Sequence, residues 1–293
     1  MAKLEHNPST SNVTFDLPGE GVYPEGITLF EAGNAFLVSG ARSGDIFRGD
    51  LATGRLEVFI SGEGREPLTT VGLDVDTNGR LWVAGGASGN VYTFDATSGE
   101  ALQVFETAPA PDTFINDLVV APSGAVYVTD SLRPYIFRIA PNSNSIEAWL
   151  DLTGSAFEAS EPGSDSNGIV VTPDERYLIA VKTGTGELFR IDIAAKEVSL
   201  IDLSGESLTG GDGLILEGPT LYVVRNSAGE VVVVELVEDL LSGQVSGHVT
   251  DPSFEFPTTA VKHGDDLLVV NSQFDRMDGD QARLPFRVSR VRV

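Results

Sequence analysis

The chain has 293 residues, 41% of them apolar, and 43 Asp and Glu against 19 Lys and Arg give a formal net charge of −24. That balance argues against nucleic acid as a partner, because phosphate binding needs clustered cationic side chains. No run reaches the roughly 18 apolar residues of a membrane span, and the absence of cysteine excludes disulfides, thiolate metal sites and a cysteine nucleophile. The start, Met1-Ala2-Lys3-Leu4-Glu5-His6, lacks the apolar core of a secretory signal, so a cytoplasmic protein with no membrane association is expected.

In chain order, Val13 to Leu17 is a short strand-like alternation, and after Pro18-Gly19-Glu20-Gly21 one pattern begins to recur. It consists of a polar or small residue, an apolar strand, a turn and further short strands. The first copy runs Glu25-Gly26-Ile27-Thr28-Leu29, then Ala35 to Val38, Ile46 to Arg48 and Leu56 to Phe59. Later copies open at Gly72 to Val75, Asp117 to Val120, Gly168 to Val171, Gly213 to Leu216 and Thr259 to Val261. Turn dipeptides such as Asn78-Gly79, Ser98-Gly99 and Ser123-Gly124 separate the strands, which are rich in β-branched and aromatic residues. Val234 to Leu241 is the one helix candidate, as a turn or two between blades.

Superposing the copies puts Glu25, Val71, Asn116, Asn167, Asp212 and Thr258 in one column, with steps of 46, 45, 51, 45 and 46 residues. A repeat of about 40–50 residues carrying four strands marks a propeller blade. The expected fold is therefore all-β: a six-bladed β-propeller forming one domain over 1–293. The sixth copy lacks an outer strand, which Val13 to Leu17 is expected to supply, closing the ring and removing an open edge.

The first residue of each inner strand lies at the mouth of the central channel, so the column converges on one spot. Each Asn-Gly or Asp-Gly alone serves equally as a turn. In register, Glu25, Asn116, Asn167 and Asp212 offer two carboxylates and two amides, a hard oxygen set suited to Ca²⁺ or another divalent cation. No His or Cys falls in the column, which disfavours zinc.

Pro24-Glu25-Gly26, Asn116-Asp117, Asn167-Gly168 and Gly211-Asp212-Gly213, in this order and spacing, resemble the regucalcin/gluconolactonase family (senescence marker protein, gluconolactonase, luciferin-regenerating enzyme). They are also similar to the diisopropylfluorophosphatase type. The resemblance spans essentially the whole chain. It implies a central metal, usually Ca²⁺, held by Glu25, Asn116, Asn167 and Asp212, and a metal-dependent hydrolase acting on a small-molecule lactone or related ester. It also implies Asp212 and Glu25 as catalytic residues, with Asp212 as base or nucleophile. The chain departs from sugar lactonases at Phe114, where those proteins place an arginine two residues before the column Asn, which points to a less polar substrate.

Loops between second and third strands share the face of the column. Arg42, Ser131, Arg133, Lys182, Arg225, Asn226, Asn271 and Gln273 are thereby candidate substrate contacts, together with Phe114. The long 271–285 loop has the length of a lid, and Thr153 to Asp165 accounts for the one long step. His6 falls in the tail, His263 at the opposite rim, and His248 in the connection before blade six, so no Ser-His-Asp arrangement is expected. Two other readings of the scaffold stay open: a non-hydrolytic cyclase or condensing enzyme, and a ligand-binding propeller with a structural ion.

Overall fold

The computed structural model describes residues 13–30, 33–64, 69–110, 112–158, 166–279 and 281–293. Six four-stranded sheets, each antiparallel throughout, are strung in sequence around a ring. The inner strands are Pro24–Phe30, Leu73–Val75, Ile115–Val120, Ser166–Val171, Gly211–Glu217 and Pro257–His263. In each blade a second, a third and an outer strand follow, as in Tyr177–Lys182, Glu187–Asp192 and Val198–Ile201 of blade four.

Short β-branched strands form blades because neither face of a sheet is left bare. Leu37, Ile46 and Ile60 of blade one pack with Leu73, Leu81, Val83 and Phe94 of blade two. Further apolar clusters repeat this along the ring, so the core lies between sheets rather than within one. Tight turns return the chain after each strand, with Gly79 at φ +78° and Gly124 at φ +86°, a conformation costly for any residue with a Cβ.

Closure is as the sequence implies. Val13–Leu17 pairs antiparallel with Phe286–Arg292, from Val13 opposite Arg290 to Leu17 opposite Phe286. Phe15 and Leu17 are buried while Asp16 faces out to meet Arg287 Nε at 3.0 Å.

The helix candidate at Val234 to Leu241 is corrected. Glu230–Leu236 is the third strand of blade five, a turn follows, and Gly243–Val249 is its outer strand. Val231, Val232 and Val234 are buried in interblade clusters, which outweighs the weak helical period of the following Glu-Asp-Leu-Leu. The outer strand is masked in the sequence because its alternation is polar, and every residue in it is at least partly exposed.

One irregularity organises the ring. In blades one, three, four, five and six the register between inner and second strand slips just after the strand begins, between Pro24 and Ile27, Ile115 and Leu118, Ser166 and Ile169, Gly211 and Leu214, and Pro257 and Ala260. Each slip is a bulge holding one extra residue on the inner strand, and a bulge re-aims the side chain it carries. The column residues Glu25, Asn116, Asn167, Asp212 and Thr258 all sit within these bulges. In blade two, Val71 precedes the regular strand, and its N–H donates to Ala84 O at 2.9 Å.

Candidate functional site

Crowding at the bulges explains the glycines that follow most column residues. A Cβ on Gly168 would collide with Asp212 O, and one on Gly26 would fall 2.5 Å from Val71 O. Neighbouring inner strands therefore approach backbone to backbone at the channel mouth. Hydroxyls from the second strands stitch the contacts: Ser39 Oγ donates to Val71 O at 2.5 Å and accepts Gly26 N–H at 2.7 Å. Thr129 Oγ1 donates to Asn167 O at 2.9 Å. On the inner strand of blade six, Thr258 Oγ1 closes the ring on Glu25 O at 2.9 Å.

A small pocket of ≈ 20 Å³ opens at this mouth, lined among others by Glu25, Asn167, Asp212, Asp117 and Thr259. Three of the four sequence-nominated ligands thus share it. The fourth, Asn116, is buried alongside, its Nδ2 donating to Ser131 Oγ at 2.7 Å. Among the described residues no trio of His, Cys, Asp or Glu side chains is gathered tightly enough to hold a metal, so a centre here must use amide or water oxygens beside the carboxylates.

The electrostatics are severe. Glu25 is 5% exposed, and its Oε2 is buried with no hydrogen-bond partner among the described residues. Burial first, then the Asp212 and Asp117 carboxylates, push its pKa well above the usual carboxylate range. Asp212 is pushed up to about 8 by burial and by Asp117, against hydrogen bonds from Asn226 and Asn167 that favour its ionised form. Asn226 Nδ2 reaches Asp212 Oδ2 at 3.3 Å.

Two carboxylates beneath the mouth were not singled out from the sequence. Asp117, pushed up to about 7 chiefly by burial, accepts N–H bonds from Leu118 at 2.9 Å and Ile169 at 3.2 Å. Asp74, raised by burial, accepts from Thr28 Oγ1, Val75 N and Val120 N. They span blades three to four and one to three. The signal for Asp117 was present: it stands one residue after the column, where Gly26, Gly72, Gly168 and Gly213 stand in four other copies.

Of the rim candidates, Asn226 and Ser131 bond to the column side chains of Asp212 and Asn116. Neither Phe114, Ser131, Arg133, Lys182, Arg225, Asn226, Asn271 nor Gln273 lines the pocket. Phe114 leans on the interblade cluster around Val71 and Trp82. Arg133 is held by Asp130 Oδ2 at 2.6 Å, Ala108 O and Thr107 Oγ1. Lys182 Nζ donates to Glu158 O, and Arg225 pairs with Glu230 at 2.6 Å. Arg42 lies over the Tyr23 ring.

Asn271 is fully buried, its Nδ2 donating to Arg287 O and Ser289 Oγ while its Oδ1 accepts Glu255 N–H. Gln273, also fully buried, clamps both ends of the 271–285 loop by accepting Arg283 N–H and donating to Arg283 O. That loop carries a 3-10 turn at Phe274–Gly279 and is tied down at its base. Residues 159–165 of the other long loop lie outside the described residues, as does His6. His248 sits on the outer strand of blade five rather than in a connection, 3.0 Å from Glu230. His263 ends its inner strand, away from the mouth.

Known proteins give this geometry a setting. Lactonase drp35 of Staphylococcus saprophyticus is 23% identical over 271 residues, covering 84% of this chain and 79% of that protein. A gluconolactonase from Xanthomonas campestris superposes with a TM-score of 0.69 at 19% identity, over 96% of this chain and 90% of the other. A calcium-binding regucalcin from Agrobacterium tumefaciens superposes with a TM-score of 0.64 at 17% identity, over 92% and 89%. At these identities the structural likeness carries the fold. Residues 23–265 match the model of the SMP-30/gluconolactonase/LRE-like region, and the chain belongs to that family.

Proposed function

We propose that the protein is a divalent-cation-dependent hydrolase of a small lactone or related ester, with Ca²⁺ as the cation. The observation that carries this reading is the unpartnered Oε2 of Glu25, buried beside Asp212 in a pocket at the channel mouth. A buried acceptor without a donor is costly, and two carboxylates with amide oxygens form the hard donor set that Ca²⁺ favours. The residues fit the ion, and Glu25, Asn116, Asn167 and Asp212 would hold it. When bound, such a cation supplies Lewis-acid polarisation of a carbonyl oxygen.

The chain's own groups account for the rest. Asp212 takes a proton from water or attacks the carbonyl carbon itself. Asn226 and Asn167 donate to its carboxylate and fix its orientation. The substrate is less polar than a sugar lactone, a reading supported by the lack of an arginine to grip sugar hydroxyls at position 114, where Phe114 packs into an interblade cluster instead.

The test is hydrolysis of a panel of lactones and aryl esters by chelated protein, with and without added Ca²⁺, beside calorimetric titration of Ca²⁺. Hydrolysis lost on chelation and restored by Ca²⁺ is expected. Calorimetry showing no divalent cation bound, or hydrolysis untouched by chelation, refutes the proposal.

A further inference from the structure

Behind the column lies a second ring, made of the residue that follows each second strand. In blades three, four, five and six it is polar: Ser131, Thr183, Asn226 and Ser272. Ser131 Oγ donates to Ser166 O at 2.9 Å, and Thr183 Oγ1 donates to Gly211 O at 2.8 Å. Both acceptors stand just before a column residue of the next blade, so the two hydroxyls are equivalent braces in adjacent blades. Ser131 does more: its Oγ also accepts Asn116 Nδ2 at 2.7 Å.

That second bond bears on the cation site, because a carboxamide has two unlike ends. Its oxygen accepts and can ligate a cation, while its nitrogen carries two hydrogens and cannot. The second strand lies farther from the channel axis than the inner strand. Anchoring Nδ2 on Ser131 therefore ties down the nitrogen and leaves Oδ1 as the end available to a cation.

We propose that Ser131 is a positioning residue that fixes which end of the Asn116 amide faces the cation. The proposal rests on the cation reading above and adds to it a determinant of affinity outside the ligand set. Without the hydroxyl, the amide is free to turn, and the turned rotamer presents N–H groups to a positive charge. Partners of this outer kind typically govern affinity by about 10–100-fold.

The experiment is calorimetric titration of chelated protein with Ca²⁺, using wild type, Ser131→Ala, Ser131→Thr, Asn116→Asp and the double variant Ser131→Ala/Asn116→Asp. Melting temperatures of the metal-free proteins are recorded alongside. Ser131→Ala is expected to weaken Ca²⁺ binding by about 10-fold or more. Ser131→Thr, which keeps the hydroxyl that Thr183 provides in blade four, restores it. Because Ser131→Ala also removes the brace to Ser166 O, a modest fall in melting temperature accompanies it.

The double variant separates orientation from bracing. An Asp at 116 has an oxygen at both ends, so loss of the hydroxyl there is expected to cost no more than about threefold. Equal Ca²⁺ affinity in wild type and Ser131→Ala overturns the proposal and leaves the cation reading standing. An undiminished penalty in the Asn116→Asp background also overturns it, since Ser131 then acts through the fold alone. A wild-type protein that binds no Ca²⁺ overturns the cation reading and this proposal with it.

Discussion

The same backbone bulge recurs around the ring, yet two sets of blades use the channel mouth differently. In blades one, three, four and five the bulge carries Glu25, Asn116, Asn167 and Asp212. In blades two and six the column holds Val71 and Thr258. Val71 is buried in the cluster of Trp82, Ala84 and Val91, and Thr258 is fully buried with its hydroxyl on Glu25 O. Two positions at the mouth are therefore sealed and four are polar or charged. Geometry sets where each side chain points, and its chemistry decides whether it closes the channel or makes a site.

The largest expected effect comes from changing the charged set at its proposed reacting group. Asp212→Asn should lower kcat for the best lactone or ester by about 10²–10⁴-fold, while the metal-free melting temperature does not fall. A variant with parental kcat would remove Asp212 from the chemistry and reduce the charged set to a cation cage.

Converting a sealed position into a charged one should instead damage the fold. Val71→Asp places a carboxylate in an apolar cluster with no partner, and a loss of about 3–5 kcal/mol in urea unfolding is expected. A loss below about 1 kcal/mol would mean the seal is wetter than its packing implies.

The two sets should also answer differently to pH. Asp212 and Asp117 keep their protons up to about 8 and about 7 in the folded chain, whereas unfolded carboxyls ionise near about pH 4. The unfolded state then binds fewer protons between those limits, so stability falls as pH rises through this window. Metal-free protein should melt lower at about pH 8.5 than at about pH 5.5, and added Ca²⁺ should raise the melting temperature more at the higher pH. Asp117→Asn should flatten the slope, and a slope unchanged by that substitution would point to other groups.

The smallest effect is expected where only a stitch is lost. Ser39→Ala strands the Gly26 N–H and removes the bond to Val71 O, for a destabilisation of about 1–3 kcal/mol, with Ca²⁺ affinity held within about twofold of wild type. A larger change in affinity would show that the stitches tune the site as well as close it.

The blade count, the closing strand and the column were legible because each rests on a short local pattern repeated at a fixed step. Asp117 was legible as an exception to the glycine after the column, and became visible as a buried carboxylate only with Ile169 of the next blade beside it. How the rim side chains are held was not legible. Arg133, Arg225 and Gln273 read as loop residues facing a pocket, and their partners Asp130, Glu230 and Arg283 lie only 3–10 residues away. Nothing in the chain distinguishes a polar side chain that waits for a ligand from one already held by its neighbour. The outer strand of blade five was obscured because strands on the rim of a blade need little apolar content.

The ring itself is written into the chain: a step of about 45 residues with four strands per step permits one closure, and hydrophobic alternation sets which faces stack. So is the choice of residue types that reach the channel mouth, since position in the repeat fixes direction. What those residues experience there depends on the folded assembly. Burial, the absence of a donor to Glu25 Oε2 among the described residues, and the gathering of Glu25, Asp212 and Asp117 from blades one, five and three are properties of distances between segments up to 187 residues apart (25 to 212). Desolvation and carboxylate repulsion act through space, so charges that read as separate in the chain become one electrostatic unit only when the ring closes.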